Sequence, residues 1–161
     1  MNRIDDNLIC FAANEEIVRA FDSFEVEFLV VGGLAVSWYC SARQAHDMDL
    51  LINPTPENSV KVFRALSGLG ISGIEENTFA RRGVQAPLKQ RHHADVITPA
   101  KTGRSYEEIA AGAISIKIFG FPARVPSVGS LIALKEAVVT STESEVEKHR
   151  RDIFLLNQTA P

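Results

Sequence analysis

Cysteine is scarce: the 161 residues hold only Cys10 and Cys40. Two cysteines cannot build a disulfide framework, and they suit a reducing compartment. Long apolar runs are missing too. The longest uncharged stretch, Phe28 to Ala42, has fifteen residues and includes two Gly and two Ser, whereas a spanning helix needs about 20 apolar residues. The N-terminal MNRIDDNLICFA places acids where a signal peptide carries bases and has no proper apolar segment. A soluble cytoplasmic protein, with no membrane partner, is therefore the expectation. Positive charge is not in excess either, with 17 Lys and Arg against 20 Asp and Glu and a net charge of −3. Nothing in that balance draws the whole chain toward nucleic acid or an anionic surface. A Gly-x-x-x-x-Gly-Lys-Ser/Thr loop is also absent, which argues against a kinase or ATPase of that class.

What is present is an ordinary globular composition, 45% hydrophobic and 23% charged. Its length fits one domain over residues 1–161, with a core over about 12–126 and C-terminal helices over about 127–157. Asn14 to Phe24 has Ile17, Phe21 and Phe24 at helical spacing, acids in the first turn and Asn14 as an N-cap. Val26 to Val31 is a short β-branched run that predicts a buried strand, ended by Gly32-Gly33, and Leu34 to Ser41 predicts a helix. His46 to Ile52 predicts a strand, and Pro56 to Leu69 a helix with Pro near its start and Gly70 after its end. Thr78 to Gln85 is ambiguous, Ala94 to Ile97 predicts a strand, and Ser105 to Gly112 a helix. Ile114 to Val125 alternates around Gly120 as a hairpin does, and helices over Ser127 to Thr140 and Glu143 to Leu156 close the chain. Helices and strands in this succession imply an α/β layer architecture.

The chemistry concentrates in Val30-Val-Gly-Gly-Leu-Ala-Val and, after thirteen residues that follow Gly33, Asp47-Met-Asp49-Leu-Leu-Ile. Residues two apart on a strand share a face, so Asp47 and Asp49 project together while Met48, Leu50 and Ile52 point inward. Paired carboxylates repel unless a positive charge stands between them. Mg²⁺ suits such a pair, taking one or two carboxylates together with substrate phosphates and waters. Gly32 and Gly33 let backbone approach a ligand closely, and the helix that follows offers free N–H groups and a positive dipole end to phosphate. A phosphate cradle beside a two-carboxylate site points to phosphoryl or nucleotidyl transfer.

The pattern apolar-apolar-Gly-Gly, a spacer, then Asp-apolar-Asp-apolar resembles the nucleotidyltransferase superfamily, which includes polymerase β, the aminoglycoside nucleotidyltransferases and the minimal nucleotidyltransferases. Ala94-Asp95-Val96-Ile97 is similar to the setting of their third carboxylate. Val31 to Ala35, then Arg43 and DMDLLI, resembles the toxin- and antitoxin-related members in particular, as do Ser130 to Lys135 and Lys148-x-x-x-Asp152. The resemblance implies a mixed sheet flanked by helices, with Asp47, Asp49 and Asp95 as catalytic and metal-binding residues. It implies Gly32, Gly33, Arg43 and Lys135 at the nucleotide, with Mg²⁺ or Mn²⁺ as cofactor. The implied substrates are a nucleoside triphosphate and a hydroxyl acceptor on a protein, an RNA such as tRNA, or a small molecule. The alternative it carries is a non-catalytic protein that binds a cognate partner, such as one half of a toxin–antitoxin pair. Many members have Gly-Ser in the turn, whose hydroxyl helps hold a phosphate; with Gly33 that contact falls to backbone N–H groups.

Other residues admit two readings. Arg81, Arg82, Lys89, Arg91, Lys101 and Arg104 face a single acid, Asp95, between Asn77 and Tyr106. They form either a solvated loop or a basic wall for a polyanion. His92 and His93 beside Asp95 lack the spaced partners of a zinc site, although His93 shares a strand face with Asp95. Lys135 in an apolar helix stripe either snorkels to solvent or contacts phosphate. Asp152 is expected on a helix surface, paired with Lys148.

Overall fold

The β-branched run after Glu27 forms strand β1 (Phe28–Val31), and the chain turns at once into helix α2 (Gly32–Tyr39). The computed structural model describes residues 4–9, 12–137 and 142–159. Before β1 come a 3₁₀ turn (Ile4–Asn7) and helix α1 (Asn14–Ser23). After α2 follow strand β2 (Met48–Ile52), helix α3 (Pro56–Gly68), strands β3 (Gln85–Leu88) and β4 (Ala94–Ile97), and the short helix α4 (Tyr106–Ala110). A hairpin of β5 (Ile114–Ile118) and β6 (Phe121–Val125) leads to helices α5 (Val128–Ala137) and α6 (Glu143–Thr159). Among the described residues no helix is long and apolar enough to cross a membrane.

The main sheet has the order β1-β2-β4-β3 and is mixed: β2 and β4 run parallel, and the two outer strands run antiparallel to them. Alternation then sorts the side chains. Met48, Leu50 and Ile52, with Phe28, Val30, Ala94 and Val96, enter the main core beside Ile17, Phe21, Leu34, Leu66 and Phe79. The other face carries Leu29, Val31 and Leu51, which pack with Tyr106 and Ile109 of α4. Asp49 and Asp95 belong to this second face, beyond the edge of its small apolar cluster.

Three expectations need correction. Asn14 is not an N-cap: Ala13 precedes the first turn of α1, with no side-chain cap. The Asn14 amide instead donates to the His93 carbonyl (3.0 Å) and accepts from the His93 N–H (2.9 Å), strapping the entry of β4 to α1. Strand β3 was not anticipated, because Gln85-Ala-Pro-Leu holds a proline and little β-branching. Its place at the sheet edge is where a residue without an N–H is tolerated. Finally, α6 runs on to Thr159, whereas the end of the helix expected over Ser127 to Thr140 lies outside the described residues.

Candidate active site

The turn after β1 requires its first glycine. Gly32 has φ +68°, and a Cβ there would lie 2.1 Å from Asp49 Oδ2, so the carboxylate occupies the space a side chain would need. The positive φ alone disfavours other residues. At Gly33 the obstacle is Arg43, whose Nη2 would stand 2.6 Å from an added Cβ. A serine side chain at this position would meet a guanidinium already seated over the turn. Val31 supplies no side-chain cap to α2, so the N–H groups of its first turn are not satisfied by a capping side chain.

The structure brings the three predicted carboxylates together. Val31 pairs with Asp49 across β1 and β2, and Asp49 pairs with Asp95 across β2 and β4. Asp47 lies just before β2, where the Met48 N–H donates to the His93 carbonyl (2.8 Å). Burial first, then the charges of Asp95 and Asp47, push the Asp49 carboxyl from 3.8 up to about 7, against partial relief from Lys135 and Lys89. Lys89, in the loop after β3, reaches two of the acids, with Nζ 3.1 Å from Asp47 Oδ2 and 3.0 Å from Asp95 Oδ2. Burial works against its ammonium, but hydrogen bonds to both acids outweigh that and push its pKa up. His93 Nδ1 stands 3.6 Å from Asp47 Oδ1.

These residues suit a divalent cation chemically. They are hard carboxylate oxygens on one face of two adjacent strands, and they carry more negative charge than Lys89 offsets. Among the described residues, no three His, Cys, Asp or Glu side chains form a ready-made metal cage.

A second charged group stands beside the turn. Asp152 of α6, 1% exposed, accepts from Arg43 Nε (2.8 Å) and pairs with Lys135 Nζ of α5 (3.0 Å). Arg43 also donates to the Gln44 carbonyl. Burial pushes the Asp152 carboxyl up, but Arg43 and Lys135 outweigh it and hold its pKa below the ordinary range. Asp152 is thus not the surface partner of Lys148 that sequence suggests, and Lys135, 8% exposed, does not snorkel into solvent. Two cations share one carboxylate, which leaves net positive charge next to Gly33 and close enough to Asp49 to lower its pKa.

No protein-family model and no curated protein matches this sequence. The architecture does match solved structures. An antigenic nucleotidyltransferase-like protein from Paracoccidioides brasiliensis superposes with a TM-score of 0.53 at 14% identity, over 93% of this chain and 78% of the other. ANT(2")-Ia in complex with adenylyl-2"-tobramycin gives 0.56 at 17% identity, over 91% and 86%. The solution structure of the antibiotic-resistance factor ANT(2'')-Ia gives 0.56 at 15% identity, over 91% and 81%. The chain has the nucleotidyltransferase fold.

In this nucleotidyltransferase-fold chain the basic segment divides in a way its sequence does not show. Arg82 donates to the carbonyls of Ala100 (2.8 Å), Gly103 (3.1 Å) and Arg104 (2.8 Å) and so ties its own loops together. Arg91 pairs with Glu16 and reaches the Leu69 carbonyl (3.3 Å). His92 is buried with Nε2 3.1 Å from Glu16, which takes it out of any site with Asp95. Sequence reasoning placed Lys89 only in a basic wall for a polyanion, not on the acids it bridges, and missed Asn14 and Asp152 as parts of the site. Asp152 had a local signal in being an acid in an otherwise basic turn of α6.

Proposed function

We propose that the protein is an Mg²⁺-dependent nucleotidyltransferase that moves a nucleoside monophosphate from a nucleoside triphosphate to a hydroxyl acceptor. The observation that carries this reading is the direct pairing of Asp49 with Asp95 at the mouth of the Gly32-Gly33 turn. Backbone N–H groups at the start of α2, with Arg43 and Lys135 behind them, would hold the phosphates. Asp47, Asp49 and Asp95 would hold Mg²⁺, or Mn²⁺ in its place, which would neutralise phosphate charge. Asp95 would orient the acceptor hydroxyl and take its proton as the oxygen bonds to the α-phosphorus. The bond from that phosphorus to the bridging oxygen then breaks, and pyrophosphate leaves. The acceptor is a protein side chain, an RNA end or a small molecule; adenylyl-2"-tobramycin bound to a structural neighbour is an adduct of the third kind.

One observation favours a second reading, a non-catalytic protein that binds a partner, as one half of a toxin–antitoxin pair does. Gly33 offers no hydroxyl to phosphate. The test is incubation with each labelled nucleoside triphosphate, Mg²⁺ and a cell extract, followed by rate and affinity measurements on Asp95→Asn. The transfer reading expects label on protein, RNA or a small molecule. It also expects a rate loss of roughly 10²–10⁴-fold in the variant, with nucleotide affinity mostly kept. Equal rates in the two proteins would remove the role given to Asp95. No transfer by either, with any acceptor, would favour the partner-binding protein.

A further inference from the structure

Lys89 is the one cation within hydrogen-bonding reach of two of the three clustered acids among the described residues. Its Nζ bridges Asp47 and Asp95 at 3.1 and 3.0 Å, using an Oδ2 oxygen of each. Unlike Lys135, which is buried against Asp152, the Lys89 side chain is 42% exposed and hangs from a loop. A long, flexible stem lets such an ammonium leave at little cost. It also has somewhere to go. Lys89 lines a groove of about 310 Å³ between the chain leaving α3 at Leu69–Ser72 and its own loop.

An ammonium and a divalent ion cannot share the same carboxylate oxygens at close range, because like charges a few ångströms apart repel strongly. We propose that Lys89 is a tethered cation that competes with the divalent ion for Asp47 and Asp95, so that metal binds by exchanging with it. The inference rests on the proposed role of these acids as metal ligands. It adds that the chain carries its own competitor, which sets the metal concentration at which the site fills. It also links metal loading to the groove, since the displaced side chain is one of the groove's walls.

The test is calorimetric titration of the full chain with MnCl₂, comparing wild type, Lys89→Met and Lys89→Arg. Removing one charge at this distance should tighten Mn²⁺ binding by roughly 10–100-fold in Lys89→Met. Lys89→Arg keeps the charge and should stay near wild type. Adding Asp47→Asn to Lys89→Met should remove the gain. On the wild-type chain, the Lys89 ε-methylene resonance should shift as Mg²⁺ is added, with the same midpoint as binding. Equal or weaker Mn²⁺ affinity in Lys89→Met, or a resonance that does not move while metal binds, would overturn the competition and leave the metal site standing. No binding in any of the proteins would overturn both.

Discussion

Asp49→Asn should make the protein more stable at neutral and alkaline pH, although the residue stands at the centre of the proposed chemistry. In the unfolded chain this carboxyl titrates near 3.8, and in the folded chain near 7. Between those values the folded state holds a proton that the unfolded state has released. Stability from this group is therefore fully present below about pH 4, falls as pH rises toward 7, and stays low beyond. At about 1.4 kcal/mol per pH unit the whole window corresponds to about 4 kcal/mol. Lys89 can lean further toward the pair and water can enter, so we expect about half of this, ~2 kcal/mol, in favour of Asn at about pH 8. That is a rise in Tm of about 4–8 °C for a chain of this size. Near pH 4 the two proteins should be equal, because the wild-type carboxyl is then as neutral as the amide. Urea denaturation in EDTA across this range measures the difference. Added Mg²⁺ at about pH 8 should narrow or reverse it by stabilising the wild type. A difference of the same size at pH 5 and pH 8, or a variant less stable than wild type at pH 8, would refute the account of a buried, crowded carboxylate.

Gly32→Ala should cost more than about 2 kcal/mol and abolish nucleotide binding, because it combines a strained φ with a collision against Asp49. Gly70→Ala, with φ +78° and open space around it, should cost only about 1 kcal/mol, and thermal denaturation of both variants separates strain from collision. Asp152→Asn should destabilise by about 3–5 kcal/mol, since it leaves Arg43 and Lys135 facing a buried neutral amide. The wild-type contribution of Asp152 should persist above its ordinary pKa and disappear as acid takes the pH down through the lowered value. The deficit of the variant should therefore shrink in acid denaturation measurements.

Much of the site is legible because its signals are local. Asp47-Met48-Asp49 alternates across one strand, and the glycine pair announces a tight exit from another. Ala94 to Ile97 coincides with β4. The rest depends on partners remote in the chain. Arg43 and Asp152 meet across α6, and neither segment carries a pattern that names the other. Asn14 has the sequence features of a cap, but two hydrogen bonds to the His93 backbone hold it elsewhere. Lys89 stands in a run of cations whose composition suits a phosphate wall. Only the position of β3 beside β4 turns that one side chain onto the acids. Strand β3 itself has no periodic signal, and its pairing is imposed by its neighbour β4, at an edge that tolerates its proline.

The parallel alignment of β2 with β4 also bears on how the protein folds. A parallel pair needs a crossover, and here α3 and β3 intervene before Asp95 can lie beside Asp49. Closing so long a loop costs chain entropy before the contact returns anything, so such pairings tend to form slowly. A nascent chain that has made only β1, α2 and β2 already possesses the glycine turn and two of the acids. It lacks the third acid and Lys89, which bridges that acid to Asp47, so the candidate centre is completed together with the slowest-forming part of the sheet.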